Sequence, residues 1–586
     1  MSHSTSARGP RVTFGAASLL GQWQERNRVR TVPHVVGQLR EAGNLDNLRR
    51  LVEPTGVPYR GRYPFLDTDI YKTLEGLAYA PNDFFDEAVT LIERAQRPDG
   101  YLNSWFQSPD TPAKPWEDLT WGHELYNLGH LIQAAVAAQR QLGDGRLLAV
   151  ARRFADLAVE RFAHEGLCGH PEVEMALVEL TRETGDDRYA ELARTLVDRR
   201  GRGLVGANRF PAEYFQDAAP LREMDTVTGH AVRMMYLAAG ATDVFLTTGD
   251  ETLLSSLDRL WRDMVDTKLY VTGGLGSRHS DEAIGDRYEL PSERAYSETC
   301  AAIGLMQWAW RMFQATAEGR FVDVFETALY NAYAAGLSED GTRFFYDNPL
   351  QRRPDHPHER VPWFSCPCCP PNVVRWMAQL HEHIAVESAG ALTIANYSAA
   401  EIRGAAVDLH IETEYPWRGE IRLTVTRAPA APFALRLRVP GWCRSATVDG
   451  RRAATLGGWT TVRRVWTPGE TVTLDLTMPV RAHGAHPHLD AARGCVAFAR
   501  GPLVYCAEQP DNPVPVDDLV VDPAGVESAG ETVTVAAAAA PPPDSTLYPE
   551  LPATPASPTP ATATLIPYFR WGNRGPGAMR VWLRTH

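Results

Sequence analysis

Four segments in the first two-thirds of the chain repeat one pattern, and that repeat restricts the fold more than any other feature. Each runs from a helical stretch through a glycine turn into a second helical stretch: QRQLGDGRLLAVARRFADLA, LTRETGDDRYAELARTLVDRR, FLTTGDETLLSSLDRLW and QATAEGRFVDVFETALYNAY. Gly143, Gly185, Gly249 and Gly319 stand where a helix C-terminus calls for the left-handed conformation. Asp144, Asp186 and Asp250, which follow the first three, can cap the next helix. Helix pairs spaced by roughly 40 to 70 residues build a solenoid or a closed toroid, because one pair alone cannot bury its apolar face. A toroid of about six pairs, an (α/α)6 barrel, fits residues 15–385.

Three helices of this region begin alike, as GHELYNLGHLIQAA, GHPEVEMALVEL and GHAVRMMYLAAG. This puts His123, His170 and His230 at equivalent helix starts, which converge on one mouth in a barrel. A single histidine there reads as packing for its own helix; three in register point to a ligand.

After residue 385 the period changes to two. ALTIANYSAAEIRG, GEIRLTVTR, FALRLRVPGW and ETVTLDLTMPV alternate apolar and polar residues between short turns, as strands of an antiparallel sandwich do. The expected class is therefore multidomain α + β. A tail (1–14) precedes the helical body, a β-sandwich follows over 386–485, and a second sandwich region spans 486–586. Within the last, the Ala/Pro/Thr-rich stretch 535–564 reads as an irregular or mobile surface segment.

Composition narrows the partners. The net charge of −13 argues against nucleic acid and against an anionic membrane surface. No run approaches the 18 apolar residues of a membrane span, and the N-terminus lacks the pattern of a secretion signal, so a cytoplasmic protein is expected. In such a chain the eight cysteines are expected as thiols or metal ligands rather than disulfides. The 15 Trp and 20 Tyr suit sugar stacking, though most serve to fill the cores.

The chemistry concentrates in WFSCPCCPPN, Trp363 to Asn372, where Cys366, Cys368 and Cys369 lie within four residues. Pro367, Pro370 and Pro371 stiffen the backbone and forbid a regular helix there. Clustered thiols favour a soft divalent metal, chiefly zinc, and the loop is too cramped to supply four ligands. Glu298 and Cys300, two residues apart at the start of an apolar helix, complete a set of one carboxylate and three thiolates with Cys368 and Cys369. On chemistry alone the set is open between a structural clip and a reactive centre, since a metal deprotonates a thiol outright and one thiolate could stay nucleophilic. Upstream, Gly273, Gly274 and Gly276 form a flexible approach loop, with Asp281, Glu282 and Glu289 as acidic candidates near the metal helix.

The motifs GGLGSRHSDEA, YSETCAAIG, FFYDNPL, CPCCPPN and RGPLVYCAE resemble glycoside hydrolase family 127, the β-L-arabinofuranosidase family, from about Phe65 to about Glu508. The resemblance implies an (α/α)6 barrel followed by β-sandwiches and one zinc ion per chain on Glu298, Cys300, Cys368 and Cys369. It implies Cys368 as nucleophile, Glu282 as acid/base, and His123, His170, His230 and Tyr346 as sugar-binding residues. The implied reaction is release of a terminal sugar, β-L-arabinofuranose, with retained configuration through a glycosyl-cysteine. The partner is then a small oligosaccharide or glycoside, with no nucleic acid and no membrane; a homodimer is compatible with this. Two alternatives keep the architecture: an (α/α)6-barrel epimerase or lyase using histidine bases, and a non-catalytic carbohydrate-binding protein with a structural zinc. Cys366 is a competing ligand.

Overall fold

Helices form early in the chain because apolar residues recur there at helical spacing between good caps. The computed structural model describes residues 9–53, 56–111, 113–205, 209–356, 358–540, 547–548, 550 and 558–585. The main helices, in chain order, are α1 Val32–Ala42, α2 Asp67–Leu77, α3 Asp83–Ala95, α4 Glu124–Leu142, α5 Arg146–Phe162 and α6 Val173–Thr184. They continue with α7 Asp187–Arg199, α8 Ala231–Thr248, α9 Glu251–Thr267, α10 Thr299–Thr316, α11 Gly319–Ala328 and α12 Cys369–Gln379. Even and odd members differ in kind. The helices α4, α8 and α10 are buried all round for most of their length, the mark of an interior helix. Helix α5 buries one stripe only, from Leu147 through Val150, Ala151, Phe154, Ala155 and Ala158 to Phe162. The even helices form a closed cycle: α2 packs on α4, α4 on α6, α6 on α8, α8 on α10, α10 on α12, and α12 back on α2. The odd helices pack outside them, each against the preceding even member, with α1 touching both α12 and α2.

Gly143, Gly185 and Gly249 take φ of 70°, 73° and 70° and end α4, α6 and α8. Asp186 and Asp250 accept a backbone N–H at the starts of α7 and α9, and Asp144 accepts from the Arg146 N–H at 3.0 Å. Gly319 departs from the expected pattern. Ala317 supplies the left-handed turn (φ 59°), and Gly319 opens α11, where its N–H donates to the Gly457 carbonyl at 3.0 Å. A Cβ on Gly319 would lie 3.1 Å from that carbonyl oxygen, so the residue is small for contact with the sandwich rather than for a turn.

Beyond the helices, a seven-stranded sheet and a four-stranded sheet are followed by a nine-stranded sheet. The expected tail is partly structured: Arg11–Phe14 pairs antiparallel with Ala400–Arg403 as an edge strand of the seven-stranded sheet. The first described strand thus lies on this sheet, ahead of the helices. Gln351–Arg352, from the helical region, joins the nine-stranded sheet beside Met579–Arg580. The Ala/Pro/Thr-rich stretch also differs from expectation at both ends. Thr532–Ala539 pairs in unbroken register with Thr559–Pro567, because alternate Val533, Val535, Ala563 and Leu565 bury one face. Residues 541–546, 549 and 551–557 lie outside the described residues. Among the described residues no helix is long and apolar enough to cross a membrane.

Candidate active site

Two helix N-termini converge on the cysteine cluster. Glu298 is the N-cap of α10 and Cys368 the N-cap of α12, and neither side chain caps its own helix. Both are thereby free to face the cluster, at helix ends whose partial positive charge favours anions. The prolines do not exclude a helix: α12 includes Pro370 and Pro371 in its first turn, where their missing N–H has no helical partner to lose. The thiols of Cys300 and Cys369 are 3.2 Å apart, those of Cys300 and Cys368 3.9 Å, and those of Cys368 and Cys369 3.8 Å. Glu298 Oε1 is 3.7 Å from Cys369 and 3.9 Å from Cys368. One donor atom from each of the four residues falls within 4.8 Å of all the others, a grouping that could hold a metal ion. Cys366 faces Cys368 but does not belong to this group.

The electrostatics call for a cation. Burial pushes the Cys300 and Cys369 thiols well up, and burial followed by the charge of Cys368 pushes the Glu298 carboxyl well up. Hydrogen bonds from Cys300, Cys366 and Cys369 hold Cys368 well below an ordinary thiol. Four anionic donors so close cannot all ionise unaided; a divalent ion removes the conflict. Glu298 Oε2 is buried with no hydrogen-bond partner, as expected of a carboxylate waiting on a cation.

The remaining candidates are placed by the backbone. The FFYDN segment is tied to the start of α10: the Thr299 N–H donates to the Tyr346 carbonyl at 3.0 Å, and Asn348 Nδ2 donates to Ser297 O at 2.9 Å and Thr299 Oγ1 at 3.0 Å. This puts the Tyr346 hydroxyl 3.0 Å from Cys368 Sγ. Gly229–His230 pairs antiparallel with Ala283–Ile284, which brings His230 Nε2 to 2.9 Å from Glu282 Oε2. The three histidines converge as their register suggests. The His123 and His170 ring centroids are 5.5 Å apart and those of His170 and His230 are 5.8 Å apart. Only two of them are N-caps; His170 precedes the N-cap of α6 by two residues.

Charge states follow from surroundings. Burial, helped by Arg233, lowers His123 to about 3, and the same two causes drop His170 well below its ordinary value. Their Nδ1 atoms face the carbonyls of Trp121 and Pro171, so Nδ1 carries the proton and Nε2 is left as an acceptor. Burial raises Glu282, but the hydrogen bond and charge of His230 outweigh it and leave the carboxyl below its usual value. His123 and Glu282 share φ of 56° and Ser297 has φ of 38°, left-handed backbone that costs a non-glycine residue energy and clusters here around the site.

The other acidic candidates are elsewhere engaged. Glu289 accepts two hydrogen bonds from Arg278, at 2.9 and 2.6 Å, and Asp281 accepts from Ser280. The glycine loop is packed rather than flexible: a Cβ on Gly274 would sit 1.8 Å from Ser297 Oγ, and one on Gly273 2.7 Å from Ala328 Cα. Sequence reasoning missed Tyr296, whose ring neighbours both Glu282 and Glu298, and the buried pair Asp69 and Lys72 of α2. A lysine among the apolar residues Ile70, Tyr71 and Leu74 of DIYKTLEGLAY is the one signal that could have flagged the last.

The chain is similar to known proteins over most of its length. Residues 12–382 match the family described as β-L-arabinofuranosidase, GH127 catalytic domain. Residues 391–478 match its middle domain and residues 480–584 its C-terminal domain. A non-reducing end β-L-arabinofuranosidase of Bifidobacterium longum is 36% identical over 589 residues, covering 89% of each chain. The crystal structure of a GH127 β-L-arabinofuranosidase from Geobacillus stearothermophilus T6 superposes with a TM-score of 0.92 at 32% identity, covering 98% of this chain and 100% of that one. A second solved GH127 β-arabinofuranosidase, 31% identical, gives 0.89 and covers 99% and 97%.

Proposed function

The chain belongs to glycoside hydrolase family 127, and on that premise we propose that this glycosidase releases terminal β-L-arabinofuranose with retained configuration, using Cys368 as nucleophile and Glu282 as acid/base. The observation that carries the reading is the environment of Cys368. Cys300 and Cys369 are buried, whereas Cys368 is partly exposed and has the Tyr346 hydroxyl 3.0 Å from its sulfur. Cys368 is thus the thiol of the cluster that a sugar can reach. The helical body is read as an (α/α)6 barrel, supported by the closed cycle of even helices.

Glu298, Cys300, Cys368 and Cys369 would hold one zinc ion. A tetrahedron with zinc–sulfur arms of about 2.3 Å has edges of about 3.8 Å; the three sulfurs here are 3.2 to 3.9 Å apart, Glu298 Oε1 is 3.7 and 3.9 Å from two of them, and all four donors lie within 4.8 Å of one another. When bound, zinc would keep the thiols deprotonated and make sulfur a better leaving group.

In the first half-reaction the Cys368 sulfur attacks the anomeric carbon while the carbon–oxygen bond to the leaving group breaks. Glu282 gives its proton to the departing oxygen. In the second half Glu282, now ionised, takes a proton from water. The water oxygen bonds to the anomeric carbon, and the carbon–sulfur bond breaks with its electron pair returning to sulfur. The Glu282 side chain is 39% exposed, which leaves it open to a leaving group. Tyr346 donates to sulfur and fixes its direction. Neutral His123 and His170 present Nε2 as acceptors for sugar hydroxyls, and His230 orients Glu282.

Intact-mass analysis after incubation with a mechanism-based furanosyl inactivator tests this. One added glycosyl unit, mapped to the peptide carrying Cys368, is expected. Label on any other residue overturns the assignment, as does a Cys368→Ser variant that hydrolyses an aryl β-L-arabinofuranoside at the wild-type rate.

A further inference from the structure

Trp121, Phe210, Tyr214 and Phe215 meet beside the site and have no part in the reaction steps above. Trp121 lies two residues before His123, whose Nδ1 faces the Trp121 carbonyl. Tyr214 and Phe215 come from the single helical turn Ala212–Phe215, and Phe210 stacks on Tyr214 with centroids 4.3 Å apart and planes 14° apart. The Trp121 centroid is 5.9 Å from that of Phe210, 6.0 Å from Tyr214 and 5.3 Å from Phe215. Arg233 of α8, 2% exposed, sets its guanidinium over three of these rings, 5.3 Å from the Trp121 centroid and 5.0 Å from those of Tyr214 and Phe215. It also donates to the Gly169 carbonyl at 3.1 Å, while its Nε has no hydrogen-bond partner. A buried guanidinium held largely by ring faces fixes those rings in return.

The set is a wall rather than a filled core. Tyr214 and Phe215 are buried, whereas Trp121 and Phe210 stay half-buried. The wall leads to the proton donor: the ring centroids of Tyr214 and His230 are 5.6 Å apart, and His230 Nε2 is 2.9 Å from Glu282 Oε2. Glu282 serves the oxygen of the leaving group, so the group attached to that oxygen extends outward from Glu282, past these rings. Flat apolar surface with a polar rim suits the C–H face of a sugar, whose hydroxyls can remain in water. We propose that Trp121 and Phe210 form the leaving-group subsite and give the enzyme a preference for a second sugar ring beyond the scissile bond. This rests on Glu282 being the acid/base. Contacts made there are remote from the reacting carbon and orient the departing oxygen toward Glu282, so they show in kcat/KM only for substrates long enough to reach the rings.

The test compares kcat/KM for three substrates that share a terminal β-L-arabinofuranose: the methyl glycoside, an aryl glycoside, and a disaccharide with a second pentose as leaving group. Wild type, Trp121→Ala and Phe210→Ala are measured on each. The readout is the disaccharide-to-methyl ratio, in which a general loss from a shifted His123 cancels. Trp121→Ala is expected to lower that ratio about tenfold and Phe210→Ala about fivefold. A change below about threefold in both variants overturns the subsite. So does a fall confined to the aryl glycoside, which would make the occupant an aromatic group instead of a sugar. Should Trp121→Ala not fold, Phe210→Ala decides by the same threshold. A wild type that hydrolyses none of the three sinks the proposed reaction and the subsite with it, whereas an unmoved ratio in active enzyme sinks the subsite alone.

Discussion

At the scale of single residues, Glu282 is set by two opposed effects. Burial raises its carboxyl, while the hydrogen bond and charge of His230 lower it further than burial lifts it. Removing His230 leaves burial and the charge of Cys368 opposed only by the hydrogen bond from Tyr296. A group that must be protonated to deliver its proton fixes the alkaline limb of the kcat/KM profile, which lies at the pKa of the free enzyme. His230→Ala is therefore expected to move that limb to higher pH. It should also raise KM, because the ring belongs to the proposed sugar-binding set. The pH profile with an aryl glycoside checks this, and an unmoved limb would mean that His230 does not set the Glu282 proton. The residues of this scale that the sequence discloses are those whose chemistry is packed into a short window: Glu298 with Cys300, and Cys368 with Cys369. Tyr296 stays hidden because it meets Glu282 and Glu298 only in the folded chain. A tyrosine in a loop just before a helix has no local feature separating it from packing.

Secondary-structure elements show how the cycle of even helices closes. Four of them carry a glycine where the backbone of a neighbour comes near. A Cβ on Gly76 of α2 would meet Val374 of α12, and one on Gly129 of α4 would meet Glu172 just before α6. One on Gly240 of α8 would meet Glu174 of α6, and one on Gly304 of α10 would come 2.8 Å from the Met235 Cβ of α8. Inside a helix glycine costs about 1 kcal/mol relative to alanine, so its placement at the contacts reflects close approach, not propensity. Gly304→Ala gains that propensity and loses more to overpacking, for which about 1–3 kcal/mol is typical. The net expectation is a lower melting temperature, and a higher one would show that α8 and α10 have slack between them. The helix–Gly–helix pairs were legible because capping is local chemistry: Gly143, Gly185 and Gly249 read correctly. Gly319 did not, since its reason is contact with Gly457, far along the chain. The prolines of α12 misled for a related reason. Proline forbids a helix interior but suits its first turn, and the sequence alone does not say which of the two a CCPP run occupies.

For the whole molecule, the question is what holds the helical body to the sandwich. One buried knot of polar groups spans them. Arg438, 0% exposed on the strand Phe433–Arg438, pairs with Asp323 at 2.7 Å and with Glu326, both on α11. Glu326 also accepts from the Tyr415 hydroxyl and from Trp442 Nε1 at 3.2 Å, and Gly441 N–H donates to Asp323 at 3.0 Å. Arg438 donates further to the Ala395 carbonyl, so its guanidinium ties its own strand, the segment at Ala395 and one outer helix together. A buried pair of this kind adds modest net stability against an apolar replacement of both partners, but removing one partner strands the other charge. Arg438→Met would leave the buried Glu326 carboxylate without its cation, and a cost of about 3–5 kcal/mol is expected. Because α11 packs outside α10, whose N-cap is Glu298 and whose first turn carries Cys300, the loss should reach the site through the position of α10. Denaturant unfolding followed by tryptophan fluorescence, with metal retention measured in parallel, checks both parts. The expected result is a lower midpoint together with easier metal loss to a chelator. A lower midpoint with unchanged metal retention would show that the knot joins the sandwich to the helices without supporting the cysteine cluster.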